Sequence, residues 1–110
     1  MHVVYAAEPF PQEVVRSLFL AGPSPRSAQE ADWKREALAA LKAQGFDGTV
    51  YLPVPKARFE GASSNEARWT YDNQIAWECD ARARADVIVF WVPRVIDPSK
   101  PDLGMPAFTL

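Results

Sequence analysis

The residues best placed for chemistry sit in one predicted helix. Tyr71, Gln74, Glu78, Ala81 and Ala85 fall at i, i+3, i+7, i+10 and i+14, a spacing that sets them on a single helical face. The Ala81 and Ala85 end of this stripe is small and apolar, fit to lie on a sheet. The Gln74 and Glu78 end is polar, so these two point toward a crevice. A partly desolvated carboxylate there could serve as acid or base, or grip a hydroxyl, which makes Glu78 the candidate catalytic residue and Gln74 a candidate substrate-binding one. The other reading of Glu78 is a solvated helix residue paired with Arg82 at i+4. On spacing alone both remain open.

A second candidate is the segment "LFLAGPSPRS", Leu18–Ser27. A loop that leaves a strand and opens a helix offers free backbone N–H groups to a phosphate or carboxylate. Ala21, Gly22, Pro23 and Ser24 would border a ligand, with Arg26 and Ser27 adding donors. The loop is neither a Walker loop nor a GxGxxG turn, and a plain strand-to-helix connection is the alternative. The third candidate is "WVPR", Trp91–Arg94, which closes an apolar run with an aromatic and a cation. Trp91 could stack on a base or ring. It could equally fill a core or a dimer interface, the stronger reading for Trp69 and Trp77. Asp97 and Asp102 could meet hydroxyls or simply be solvated. Cys79 has no histidine partner and reads as a small core residue.

The elements that must position these groups follow from pattern. Val3–Ala6 is an edge strand or a leader. A strand is expected from Val14 to Ala21, entering the Gly-Pro loop. Ser27-x-x-Glu30 is a capping box, predicting a helix from there to about Gln44 with Leu38 and Leu41 on its buried stripe. Gly45 should stop it in the left-handed conformation, with Phe46 folding back on Leu41. "TVYLPVP", Thr49–Pro55, reads as a strand and Lys56–Glu66 as a polar loop. A second helix is expected from Glu66 to Ala85, with a break near Tyr71, and a last strand over Asp86–Trp91. The later strands are apolar without alternation, which predicts a parallel sheet covered on both faces. The implied fold is α/β, a Rossmann-like (flavodoxin-like) three-layer domain with a mainly parallel sheet, incomplete at its C-terminus. Ligands of such sheets bind outside the carboxyl ends of the strands. There "AGPSPR", "PVPKAR" and "WVPR" converge.

Bulk composition narrows the function classes. With 110 residues, 48% hydrophobic and 24% charged, the chain suits one domain, residues 1–110, with 1–13 as the leader or edge strand. A net charge of −2 argues against a nucleic-acid partner. One cysteine and one histidine, His2, exclude a disulfide framework and make a histidine-based metal centre or a Ser-His-Asp triad an unsuitable reading. No apolar run approaches the roughly 18 residues of a membrane-spanning helix, and no signal peptide is recognisable, so a soluble cytoplasmic protein with no membrane partner is expected.

Taken together, "LFLAGPSPR", Trp33, "LKAQGFDGTVYLPVP", "YDNQIAWECDARARADVIVFWVPR" and "MPAFT" resemble the nucleoside 2-deoxyribosyltransferase-like family over about Leu18 to Thr109. The resemblance implies a Rossmann-like domain, usually in a homo-oligomer, that needs no cofactor and no metal. It implies a nucleoside or nucleoside monophosphate as ligand and cleavage or transfer at the N-glycosidic bond. Ala21, Gly22 and Pro23 match the loop beneath the nucleoside, Glu78 a substrate-contacting carboxylate, and Trp91–Arg94 the loop bordering the sugar. In the family the nucleophilic glutamate follows the "MPAFT" region in an N-x-E-x-G-like context, a segment that residues 1–110 do not contain. The expectation is therefore either an enzyme whose nucleophile comes from further chain or another subunit, or a binding domain that kept the fold without the reaction.

Overall fold

The structure, a computed structural model, describes residues 1–25, 31–61 and 69–92. Its strands are β1 (His2–Ala6), β2 (Ser17–Ala21), β3 (Thr49–Pro55) and β4 (Val87–Phe90). Its helices are α1 (Trp33–Ala43), α2 (Lys56–Phe59) and α3 (Tyr71–Arg84). The strands form one sheet in the order β1-β3-β2-β4, and every pairing is parallel. Leu18, Leu20, Val50, Leu52 and Val54 pack beneath α1 and α2, with Trp33, Ala37, Leu38, Leu41 and Phe59. Phe19, Ala21 and Tyr51 face α3, with Trp77 and Ala81. Neighbouring residues of one strand thus serve opposite layers, because successive side chains alternate across a sheet. The result is an α/β sheet with helices on both sides, as expected of a Rossmann-like domain.

Val3–Ala6 is the edge strand rather than a free leader, held by pairing with β3 from His2↔Thr49 to Tyr5↔Leu52. The α1 terminus follows the expected chemistry closely. Gly45 has φ +75°, Phe46 N–H donates to Leu41 O at 3.0 Å, and Gly45 N–H donates to Lys42 O at 3.1 Å. These two bonds are the Schellman pattern, which satisfies carbonyls the helix leaves open.

Several boundaries differ from the sequence reading. β2 begins at Ser17, not Val14, and Val15 is 91% exposed. Its partner β3 starts at Thr49, so the residues before Ser17 have no strand to pair with. Helix α1 begins at Trp33, where Asp32 accepts from Lys34 N–H at 3.1 Å, so Asp32 and not Ser27 is the cap. The expected capping box, Ser27–Glu30, lies outside the described residues. Part of the expected polar loop is the short helix α2, anchored by buried Phe59. Helix α3 begins at Tyr71, capped by Thr70 Oγ1 accepting from Asn73 N–H at 3.2 Å, so the helix does not run in from Glu66. Cys79 is exposed rather than a core residue, its sulfur accepting from Arg82 Nη2 at 3.3 Å.

The largest difference is β4. Its unbroken apolar run predicts burial on both faces, yet Val87, Ile88, Val89 and Phe90 are all exposed, at 56, 36, 38 and 48%. Among the described strands β4 pairs only with β2 and forms an edge. Asp86 secures its entry: Oδ2 accepts from Ser17 N–H at 2.8 Å, and Asp86 N–H donates to Ser17 O at 3.1 Å. Among the described residues no helix is long and apolar enough to cross a membrane.

Candidate functional site

A cleft of about 330 Å³ opens at the carboxyl ends of the strands, where open parallel sheets place their ligands. It is large enough for a small ligand. One wall is the end of β3, Pro53–Pro55, with Arg58 of α2 beside it. Ser24 enters from the loop after β2. The opposite side is the start of α3, from Trp69 and Thr70 through Tyr71 to Gln74 and Glu78. The helix runs antiparallel to the strands, so its N-terminal half reaches their carboxyl ends while Ala81, fully buried, packs on the sheet.

Glu78 is held in one orientation. Its Oε1 accepts from Gln74 Nε2 at 2.8 Å, and its Oε2 lies 3.5 Å from Arg82 Nη1. Gln74 is itself fixed: its amide nitrogen also donates to Pro53 O at 3.1 Å, and its Oε1 accepts from Trp69 Nε1 at 2.7 Å. Indole, amide and carboxylate therefore form one chain of hydrogen bonds running along the cleft. The Arg82 pair is partly buried, its side chains 23 and 28% exposed, and it contributes about 1 kcal/mol. Its main effect is to set the carboxylate's direction. Both readings of Glu78 are thus present in one residue: it pairs with Arg82 and it lines the cleft.

Behind Ser24 the loop is anchored from two sides. Pro23 O accepts from Trp33 Nε1 at 3.0 Å and from Lys34 Nζ at 3.3 Å. Trp33 stacks on Trp91, with centroids 6.0 Å apart and planes 17° apart. Trp91 N–H donates to Ala21 O at 2.8 Å, which ties the exit of β4 to the exit of β2. Gly22 sits inside this arrangement. A Cβ there would stand 2.7 Å from Trp33 Cζ2 and 3.0 Å from Trp91 O, so only glycine lets the indole approach.

Lys34 is the buried charge of the region, 1% exposed. Burial pushes its ammonium below the ordinary lysine value of 10.5, and the carboxylates of Asp32 and Glu78 act in the opposite sense. Lys34 comes from α1 and Glu78 from α3, so the two helical layers meet electrostatically at the strand ends.

Of the sequence candidates, Ser24, Gln74 and Glu78 come together in the cleft lining. Ala21, Gly22, Pro23 and Trp91 lie beside it, in the layer that holds the loop, and the described face of Trp91 meets Trp33 rather than the cleft. Arg94, Arg26, Ser27, Asp97 and Asp102 lie outside the described residues. Trp77 is a core residue, stacked on Phe10 with centroids 5.4 Å apart. Sequence reasoning missed Arg58, Trp69 and Thr70 as lining residues and Lys34 as a buried cation. The segment carrying Arg58 was recognisable as facing the crevice, because it follows a strand. Nothing in the local pattern marks Lys34. Among the described residues no group of side chains could hold a metal ion.

A family model described as nucleoside 2-deoxyribosyltransferase like matches residues 15–103. Comparisons with curated proteins and with solved structures returned no match.

Proposed function

The chain belongs to the nucleoside 2-deoxyribosyltransferase-like family, and on that premise we propose that it binds a nucleoside or nucleoside monophosphate in the cleft beside Glu78 and acts at the N-glycosidic bond. The observation that carries this reading is the Glu78 carboxylate, oriented by Gln74 inside a cleft at the strand ends. In the reaction a carboxylate attacks C1′, the bond from C1′ to the base nitrogen breaks, and the base leaves with a proton. Water or a second base then attacks C1′ and releases the sugar from its ester. Glu78 is the only carboxylate among the described lining residues. With Oε1 engaged by Gln74 it suits gripping a sugar hydroxyl or passing a proton better than attacking carbon. The attacking carboxylate then comes from outside the described residues or from a neighbouring subunit of a homo-oligomer.

The same engagement of Glu78 favours a second reading, a domain that binds the nucleotide without cleaving it. One experiment separates the two. The 110-residue chain is incubated with deoxynucleosides and their 5′-monophosphates, free base is followed by chromatography, and binding by calorimetry. Base release that disappears in Glu78→Ala supports the enzyme. Binding without release, weakened in Glu78→Ala, supports the binding domain. A folded chain that neither binds nor releases refutes both.

A further inference from the structure

We propose that Trp69 is a positioning residue of the cleft: its indole N–H fixes the Gln74 amide in one orientation, and through that amide holds Glu78 as the acceptor of a ligand hydroxyl. The hydroxyl part rests on the reading of the cleft as a nucleoside site. The positioning part does not. Trp69 stands immediately before Thr70, the cap of α3, and Gln74 is the fourth residue of that helix. These are the two positions that ordinarily meet as an apolar staple at a helix start. Here the same geometry joins an indole to an amide, with Trp69 Nε1 donating to Gln74 Oε1 at 2.7 Å. The Trp69 ring packs against the core cluster that contains Phe19, Tyr51 and Trp77, so the place of its N–H is set by the core.

Among the described residues, the partners of the Gln74 side chain are each of one sign. An indole N–H only donates, whereas a proline carbonyl and an ionised carboxylate only accept. Pro53 O and Glu78 Oε1 both face the amide nitrogen, at 3.1 and 2.8 Å. One orientation of the amide serves all of them. Turned over, it would set its oxygen against two acceptors and its NH2 group against the indole N–H. The indole therefore penalises the wrong orientation from the end opposite Glu78. With both hydrogens of Nε2 engaged, the Gln74 side chain has no donor left for a ligand, and its work in the cleft is to hold Glu78. It holds Oε1 from one turn before, while Arg82, one turn further along α3, lies 3.5 Å from Oε2. A carboxylate held in this way turns its remaining lone pairs to a donor in the cleft, and a sugar hydroxyl is such a donor.

The test compares the wild-type chain, Trp69→Phe, Gln74→Met and the double variant, with circular dichroism to confirm that each folds. Trp69→Phe keeps a ring on the core and removes the donor. Each chain is titrated by calorimetry with a deoxynucleoside and with analogues lacking its 3′ or its 5′ hydroxyl. The ratio of affinities cancels any ring contact common to these ligands. The wild type should prefer the full nucleoside over one analogue by about tenfold or more, the size of a hydrogen bond to a charged group. Trp69→Phe should lose most of that preference, and the double variant should lose no more than Gln74→Met alone, because the indole acts through the amide. A preference that survives Trp69→Phe, or one that falls further in the double variant, makes Trp69 a packing residue and overturns the proposal while the nucleoside reading stands. Nucleoside binding with no hydroxyl preference in the wild type also overturns it. Without ligand, carbon-13 NMR follows the Glu78 side-chain carboxyl, whose signal should move in the same direction in Trp69→Phe and Gln74→Met. A signal unmoved in Trp69→Phe overturns the positioning role whether or not a nucleoside binds. Matching shifts with no nucleoside bound support the positioning role and refute the nucleoside reading. Where Trp69→Phe does not fold, exchange of the indole proton is compared in the wild type and Gln74→Met: protection lost with the amide supports the link, and equal protection overturns it.

Discussion

Gly22→Ala isolates the packing that holds the loop after β2. The new methyl would stand 2.7 Å from Trp33 Cζ2 and 3.0 Å from Cε2, well inside contact distance. Trp91 O, also at 3.0 Å, is backbone tied to Ala21 and cannot retreat without breaking that bond. The Trp33 indole must therefore swing away. Doing so gives up its hydrogen bond to Pro23 O, worth about 0.5–1.5 kcal/mol, and its stack on Trp91, worth about 0.5–1.5 kcal/mol. The sum, about 1–3 kcal/mol, equals the usual cost of one methyl too many in a packed site. For a domain of this size the midpoint of thermal unfolding should fall by roughly 5–15 °C. Urea unfolding gives the free energy, and near-ultraviolet circular dichroism follows the paired indoles. In the background Trp33→Leu the same glycine change should cost much less, so the double mutant costs less than the two single changes added together. A Gly22→Ala chain with wild-type stability and an unchanged indole signal would refute the argument, since the clash it rests on would be absent.

Two further perturbations address the buried polar groups. Lys34 is pushed below 10.5 by burial, so between its lowered value and 10.5 the unfolded chain binds more protons than the folded one. Stability from this group therefore rises with pH through that window, by no more than about 1.4 kcal/mol per pH unit. The stability difference between wild type and Lys34→Met should shift in favour of the wild type as pH rises toward 10.5 in urea titrations; a flat difference would contradict the burial. Gln74→Ala strips partners from Trp69 Nε1, Pro53 O and Glu78 Oε1 together, and should cost about 1–3 kcal/mol while weakening ligand binding. Unchanged binding would remove Gln74 from the machinery that orients Glu78.

The sheet was legible because its strands are apolar on both faces and its helices end in recognisable chemistry. Gly45 followed by Phe46 encodes a helix stop in local terms, and the structure uses it. Starts were harder to place. Ser27-x-x-Glu30 and Asp32 both fit a cap by sequence, and the described helix starts after Asp32. Trp33, Ala37, Leu38 and Leu41 form the stripe that meets the sheet. β4 misled for a related reason. A run such as Val87–Phe90 records the affinity of each side chain for a covered position but not the presence of the cover. At the site, helical spacing sufficed to place Gln74 and Glu78 on one face at the strand ends. Arg58, Trp69 and Lys34 reach the same region through tertiary packing, which no single-helix or single-strand period encodes.

The pairing of β4 with β2 also sets the order in which the site can arise. Ser17 and Asp86, which open this pairing, are 69 residues apart, whereas β2 and β3 pair from Ser17↔Thr49. Longer loops cost more entropy to close, and parallel pairings across long separations form slowly. The β1-β3-β2 sheet with α1 can condense first, leaving the Gly22–Ser24 loop without Trp91 against it. Docking of β4 brings Trp91 onto Trp33 and fastens Ala21. If a ligand seats against this loop as proposed, its binding depends on β4 being docked, and adding it is expected to slow unfolding from the β4 side.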